Sequence, residues 1–259
     1  MTLELNGPLV LAGCGKMGGA MLAGWLARGL DPAQVLVQDP GPPPDLAAFL
    51  DSHRIAAIPT LATLPRPPAV IVVAVKPQVM DQVFPALARH AGAQTLVISI
   101  AAGKALASFE KHLGARAAVI RAMPNTPAAV GRGITVCCPN VHVTAAQKSL
   151  CADLLGAVGE VGWVGDEALM DAVTAVSGSG PAYVFLMAEA LEAAAIAQGL
   201  EPALARQLAR ATVAGSGELM RQSALDAAEL RRNVTSPGGT TAAALAVLMA
   251  DDGMGPLLT

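Results

Sequence analysis

The chain has 259 residues, of which 53% are hydrophobic and 14% charged, with a formal net charge of −3 at pH 7. That composition excludes a disordered chain, which lacks the apolar surface to offset its ordering entropy. Without a basic run, it also excludes a surface built to neutralise nucleic-acid phosphates. Aromatic residues make up only 3%, so the core must be built from Ala, Val, Leu, Ile and Met. A mean hydropathy of +0.51 predicts more apolar surface than one copy can hide, and so a homo-oligomer.

In chain order, Met1–Leu11 carries Glu4 and no basic segment, so no secretory signal is expected and the cytoplasm is the expected location. Short apolar runs at Pro8–Ala12, Gln34–Gln38, Ala69–Val75, Thr95–Ile100 and Ala117–Arg121 predict buried strands. Helical patterns lie between them at Met17–Arg28, Leu46–His53, Gln78–Arg89 and Lys104–His112. Ile134–Cys138 and Glu160–Val164 predict two more strands around a helix near Ala145–Ala157. This alternation argues for right-handed βαβ units and a mainly parallel sheet.

After Asp166 no strand-length β-branched run remains, and Glu167–Val176, Pro181–Gln198, Ala203–Met220, Leu225–Arg232 and Thr240–Met249 predict helices. The expected organisation is an α/β domain over 1–165 and an all-α domain over 166–259. The uncharged stretch Ala172–Ala188 is interrupted by Gly178, Gly180 and Pro181, which should disqualify it as a membrane span of ~20 residues. Cys14, Cys137, Cys138 and Cys151 show no metal-ligand spacing, so buried thiols are expected and no metal site.

Gly13-Cys14-Gly15-Lys16-Met17-Gly18 joins the first strand to the first helix. At that place glycines allow a tight turn, a close approach of pyrophosphate to backbone, and close helix–strand packing, while the helix N-terminus attracts the anion. A nicotinamide dinucleotide is therefore expected there. Cys14 could have a lowered pKa at a helix start or simply be small. Asp39 ends the second strand, 21 residues after Gly18. A carboxylate there can bond a ribose 2′-hydroxyl, which leans toward NADH over NADPH; alternatively Asp39 begins the turn before Pro40.

Ala74-Val75-Lys76-Pro77 and the segment 99–103, with Ala101, follow strands and could line the nicotinamide end. Lys76 could contact cofactor or substrate carboxylate, or stand in solvent at a helix start. In Arg121–Pro127 two prolines aim Asn125 and Thr126. Ser177-Gly178-Ser179-Gly180-Pro181 breaks an apolar stretch, where a ligand or a crossing helix needs small residues. The run Ser236-Pro237-Gly238-Gly239-Thr240-Thr241 opens a late helix whose free N–H groups suit a carboxylate; the other reading is a helix capped by Ser236. The glycine pair favours the ligand.

No lysine follows Lys148 and no histidine follows His142. Alcohol oxidation usually needs such a base, and a β-hydroxyacid-type dehydrogenase would need a lysine in the helical half. A protonated imine already carries its proton, so a hydroxyl such as Thr241 can suffice beside it. A regulator that binds a dinucleotide without turnover is the alternative from another class.

Together these segments resemble the pyrroline-5-carboxylate reductase family, over residues 8 to about 250 and in the family's order. The Val176–Phe185 and Ser236–Thr241 stretches are the most specific. The resemblance implies an N-terminal Rossmann domain and a C-terminal all-α dimerisation domain. It implies reduction of the C=N bond of 1-pyrroline-5-carboxylate to L-proline by NADPH or NADH, the last step of proline biosynthesis, with NADPH the usual family cofactor. It also implies a homodimer whose helical domains interleave, with each active site between one subunit's Rossmann domain and its partner's helices. Residue by residue, it puts the substrate carboxylate on Ser236 and the Gly238, Gly239, Thr240 and Thr241 amides. Thr241 would stand near the imine nitrogen, Ser179 in the catalytic Ser-Gly-Ser-Gly-Pro element, and Asn233 near the cofactor ribose. The chain departs from the pattern at Asp39, where many relatives carry Ser or Thr. It also stops at Thr259, where relatives continue through another helix that bears on higher oligomers.

Overall fold

The computed structural model describes residues 3–114 and 116–259; Met1 and Thr2, which open the segment read for a signal, lie outside the described residues. The first part alternates strands and helices: β1 (Leu9–Ala12), α1 (Lys16–Ala27), β2 (Val35–Gln38), α2 (Pro44–Ser52), β3 (Ala57–Ile58), β4 (Val70–Val73), α3 (Pro77–Ala88), β5 (Leu96–Ser99), α4 (Leu106–Leu113) and β6 (Ala118–Met123). β7 (Gly133–Pro139), α5 (Ala145–Leu155) and β8 (Gly159–Trp163) follow. The strands form one sheet in the order β3-β2-β1-β4-β5-β6-β7-β8. Among the described residues only the β6–β7 pairing is antiparallel.

Strand residues alternate between two buried clusters because successive side chains point to opposite faces. Leu9, Leu11, Val70, Val72, Leu96 and Ile98 share one face with Trp25 of α1. Val10, Ile71, Val73 and Val97 share the other with Phe84 of α3 and Phe109 of α4, whose rings meet edge to face at 5.0 Å. Burial on both faces explains why these strands read as continuous Val/Leu/Ile runs. Trp25 keeps its one polar atom satisfied, Nε1 donating to Leu154 O at 2.8 Å.

The expected strands are present within a few residues. β3 was not expected; its two residues are too short a run to show a period. The strand order runs outward in both directions from β1 and β4, so the chain crosses over there. In such sheets ligands bind at the carboxyl ends of the strands flanking that crossover.

After β8 the chain continues as α6 (Met170–Val173), a π-helical turn over Thr174–Gly178, α7 (Gly180–Ala197), α8 (Pro202–Gln222), α9 (Ala227–Asn233), α10 (Thr240–Leu248) and α11 (Met254–Leu257). Two compact units result, Met1–Ala182 and Tyr183–Thr259. The strands end near residue 165, where the composition changes, but compaction continues to Ala182. Met170 is buried in the cluster of Phe84 and Phe109, which ties the start of the helical segment to the sheet.

Gly178, Gly180 and Pro181 do not interrupt the helical path as expected. The π turn absorbs the misfit, with Ser179 N donating to Thr174 O at 2.8 Å. The resulting run Glu167–Ala197 is long and apolar enough, by length and composition, to cross a membrane, and none of its apolar window is buried within this chain. That corrects the expectation drawn from Ala172–Ala188. In the second unit only Ala205 and Ala209 are buried hydrophobics among the described residues.

Candidate functional site

The residues expected to bind a dinucleotide between Gly13 and Asn125 gather at one edge of the first unit, because parallel strands deliver all their following loops to the same side; Asn233 lies in the second unit. β1 ends at Ala12, and the turn that follows runs close against the end of β4. Gly13 has φ +92°, and a Cβ there would meet Ala74 O at 2.7 Å. A Cβ at Gly18 would run into the carbonyl oxygen of Gly13. These two glycines serve packing. Gly15 differs: a Cβ there would meet nothing within 4 Å. It caps α1 in extended backbone, no side chain caps the helix, and no acidic residue lies in the first turn. The positive end of α1 therefore faces open space beside a backbone that a pyrophosphate can approach. Lys16 and Met17 form that first turn.

Asp39 opens the turn before Pro40, as one of its two expected roles has it, and its other oxygen takes a backbone partner that was not expected. Its Oδ1 accepts from Gly41 N at 2.8 Å, closing the turn after β2. Its Oδ2 accepts from Cys14 N at 2.7 Å, fixing the glycine turn. The Cys14 thiol is buried, and burial, with Asp39 nearby, pushes its pKa up to about 11. A lowered pKa at the helix start is therefore corrected: desolvation outweighs the helix end.

Ala74 and Val75 line the turn after β4, and exposed Lys76 caps α3, which starts at Pro77. Ala101 is buried after β5, its N donating to the buried Ser99 Oγ at 3.2 Å. Asn125 follows β6, but its Oδ1 accepts from Ile134 N at 2.9 Å and so holds the start of β7. Its amide nitrogen has both donors left for a ligand.

The Ser177–Pro181 motif comes to the same edge. A Cβ at Gly178 would meet Met123 Cε at 2.5 Å, so the motif's small residue lets the π turn sit against the end of β6. Ser179 follows directly. π turns often mark functional positions.

An ion pair that the sequence did not suggest braces this region. Glu167 Oε1 accepts from Arg121 Nη1 at 3.0 Å and from Leu106 N, at the start of α4, at 2.8 Å. The partners are 46 and 61 residues apart, so no local spacing reveals them. Lys104 and Asp81 likewise pair at 2.9 Å between the loop after β5 and α3. An open groove of about 760 Å³ lies at the opposite edge of the sheet, among Asn6, Pro68, Thr95 and Leu150. It holds none of the expected residues.

In the second unit α10 begins as the anion reading requires. Its N-cap is Gly239, not Ser236, and no side chain caps it. Gly238 has φ +70°, which favours glycine, and Gly239 N donates to Ser236 O at 3.1 Å, closing the tight turn before the helix. The first N–H groups of Thr240 and Thr241 lie beyond the reach of intrahelical acceptors, and no acidic residue competes in that turn. Asn233 is the exposed last residue of α9.

The family described as pyrroline-5-carboxylate reductase dimerisation matches residues 167–257. One described as NADP oxidoreductase, coenzyme F420-dependent, matches residues 9–103. A pyrroline-5-carboxylate reductase of Pseudomonas aeruginosa is 41% identical over 237 residues, 92% of this chain and 86% of that one. The solved structure of a pyrroline-5-carboxylate reductase from Coxiella burnetii superposes with TM-score 0.86 at 35% identity, covering 94% of this chain and 90% of that one. A Plasmodium falciparum pyrroline carboxylate reductase with NADP bound gives TM-score 0.76 at 29% identity, covering 96% and 91%.

Proposed function

The chain belongs to the pyrroline-5-carboxylate reductase family, and on that premise we propose that the glycine turn holds the dinucleotide and the start of α10 holds the substrate carboxylate. The chain is an NAD(P)H-dependent oxidoreductase that reduces the C=N bond of 1-pyrroline-5-carboxylate to give L-proline. The dinucleotide, when bound, supplies the hydride.

Every other role falls to the protein. The end of α1 and the Gly13–Gly18 backbone anchor the pyrophosphate. Ala74–Pro77, Ala101 and the Asn125 amide border the path toward the nicotinamide. The free N–H groups of Thr240 and Thr241 fix the carboxylate, with Ser236, Gly238 and Gly239 shaping the turn that presents them. Thr241 places a hydroxyl at the imine nitrogen, Ser179 supplies a second hydroxyl, and Asn233 meets the ribose. The observation that carries this reading is the pairing, in one chain, of two uncapped helix starts that each follow a glycine turn.

The chain forms homo-oligomers through its dimerisation domain. We take the functional division to lie near residue 165, and the basic assembly to be a homodimer formed by the C-terminal helices. On this reading the apolar run Glu167–Ala197 packs against a second copy rather than lipid. Glu189 and Glu192 support that, since carboxylates within a membrane helix are costly, and Glu192 already accepts from Arg206 at 3.1 Å. No partner nucleic acid is invoked, and the cytoplasm is the setting.

The test is purified protein with pyrroline-5-carboxylate and either NADPH or NADH, followed by loss of reduced-nicotinamide absorbance. Oxidation of neither would overturn the reading. Thr241→Ala should lower kcat ~10²-fold or more, the usual cost of a lost proton-handling group, with cofactor affinity near normal. An unchanged kcat would remove Thr241 from the chemistry.

A further inference from the structure

The loops that would surround the adenosine ribose have one charge character. Asp39 lies at the end of β2, beside the glycine turn, with one carboxylate oxygen on Cys14 N and the other on Gly41 N. Those two hydrogen bonds hold the carboxylate at the rim of the turn, and each oxygen keeps a lone pair for a further donor. Asp45 adds a second carboxylate in the first turn of α2.

No lysine or arginine occurs in residues 40–53 after β2 or in residues 59–65 after β3. Gln38 contributes no charge, its Oε1 being taken by Leu61 N at 3.1 Å. Arg54 and Arg66 stand before β3 and before β4, on the amino side of the sheet rather than the carboxyl side. Lys16, exposed at the start of α1, is the cation that the glycine turn itself carries.

We propose that Asp39 makes this chain select a dinucleotide with a free ribose 2′-hydroxyl, NADH, over one carrying a 2′-phosphate. The inference rests on the reductase reading above and names the cofactor of that site. A hydroxyl donates to the waiting carboxylate. A 2′-phosphate brings close to two negative charges against it with no flanking guanidinium to receive them, and like-charge juxtaposition disfavours binding strongly. The Plasmodium falciparum structure holds NADP.

The decisive experiment uses binding, so that it does not depend on turnover. Calorimetry compares ADP-ribose with 2′-phospho-ADP-ribose on the purified protein, and kcat/KM is measured with NADH and NADPH in parallel. ADP-ribose should bind at least about tenfold more tightly, and NADH should lead in kcat/KM by a similar factor. Asp39→Asn, which removes the charge together with one of the two backbone hydrogen bonds, and Asp39→Ser should each cut that ratio about tenfold or more. Lys16→Ala should leave the preference for ADP-ribose in place.

Equal or tighter binding of the 2′-phospho compound by the wild-type protein would overturn the inference, as would a ratio unchanged in a folded Asp39→Asn protein. If a variant does not fold, the wild-type ratio still decides. Clear ADP-ribose preference with no turnover of either reduced cofactor would keep the inference and sink the reductase reading. Binding of neither compound would sink both.

Discussion

The two compact units solve the problem of apolar surface in opposite ways. In the first, strands buried on both faces and three large aromatic side chains, Trp25, Phe84 and Phe109, close a core within one chain. In the second, helices of Ala, Leu and Met leave their apolar side chains bare; Phe185 and Leu186 of α7 are 60% and 63% exposed. A helix that is apolar on most sides needs cover. Covering each such exposed side chain against another copy is worth roughly 1–2 kcal/mol. The difference teaches that the first unit is a finished fold while the second, on the proposed assembly, supplies the interface. The chain's high hydropathy is therefore a statement about assembly.

The largest effect that would sharpen this contrast is at α7. Leu186→Glu should convert the assembly to monomers in sedimentation velocity and lower reductase activity by about a hundredfold or more, as expected when a site loses its alignment. ADP-ribose binding by the first unit should persist. An assembly of unchanged mass would break the comparison. Next is Trp25→Ala, which empties a closed core and leaves Leu154 O without its donor. It should cost ~3–5 kcal/mol in denaturant unfolding of the first unit, whatever the state of assembly. A cost below ~1 kcal/mol would show that core to be less closed than described.

The smallest effect concerns Asp81, whose pKa lies below the usual carboxylate value, chiefly through its hydrogen bond from Lys104. Its folded pKa is depressed, so its stabilising contribution is present above the unfolded value of ~3.9. It is lost as pH falls from there through the folded value. Asp81 is exposed, so added salt should weaken the effect. The difference in melting temperature between wild type and Asp81→Asn, followed from neutral pH downward, should shrink over that range. A difference that grew toward acid would contradict the assignment.

Much of this was legible because the physical signals were local. The strands announced themselves as β-branched and Leu runs, since burial on both faces removes polar alternation. The helical half announced itself by lacking such runs. What stayed hidden depends on contacts between distant segments. Ala57–Ile58 becomes a strand only because Val37 and Gln38 offer an open edge. The π turn at Thr174–Gly178 exists because Gly178 must fit over Met123, which no helical period encodes. For the same reason the glycines and Pro181 failed to stop the helical run.

At the site, glycine spacing located the turn but could not say which glycine faces space; only Gly15 does. Residue type alone left Asp39 two roles; the fold gives it the turn through one oxygen, while its hold on Cys14 N through the other left no local signal. Asn125 was legible as a polar group at the right edge, while the claim of Ile134 N on its oxygen was not. Glu167, which joins Arg121 to the start of α4, left no trace in the sequence at all.

The most direct test is a crystal structure of the protein with NADH and L-proline bound. The pyrophosphate should lie against Gly15 and the start of α1, and the proline carboxylate at the start of α10 on the amides of Thr240 and Thr241. Both ligands bound elsewhere, with these two helix starts bare, would contradict the assignment.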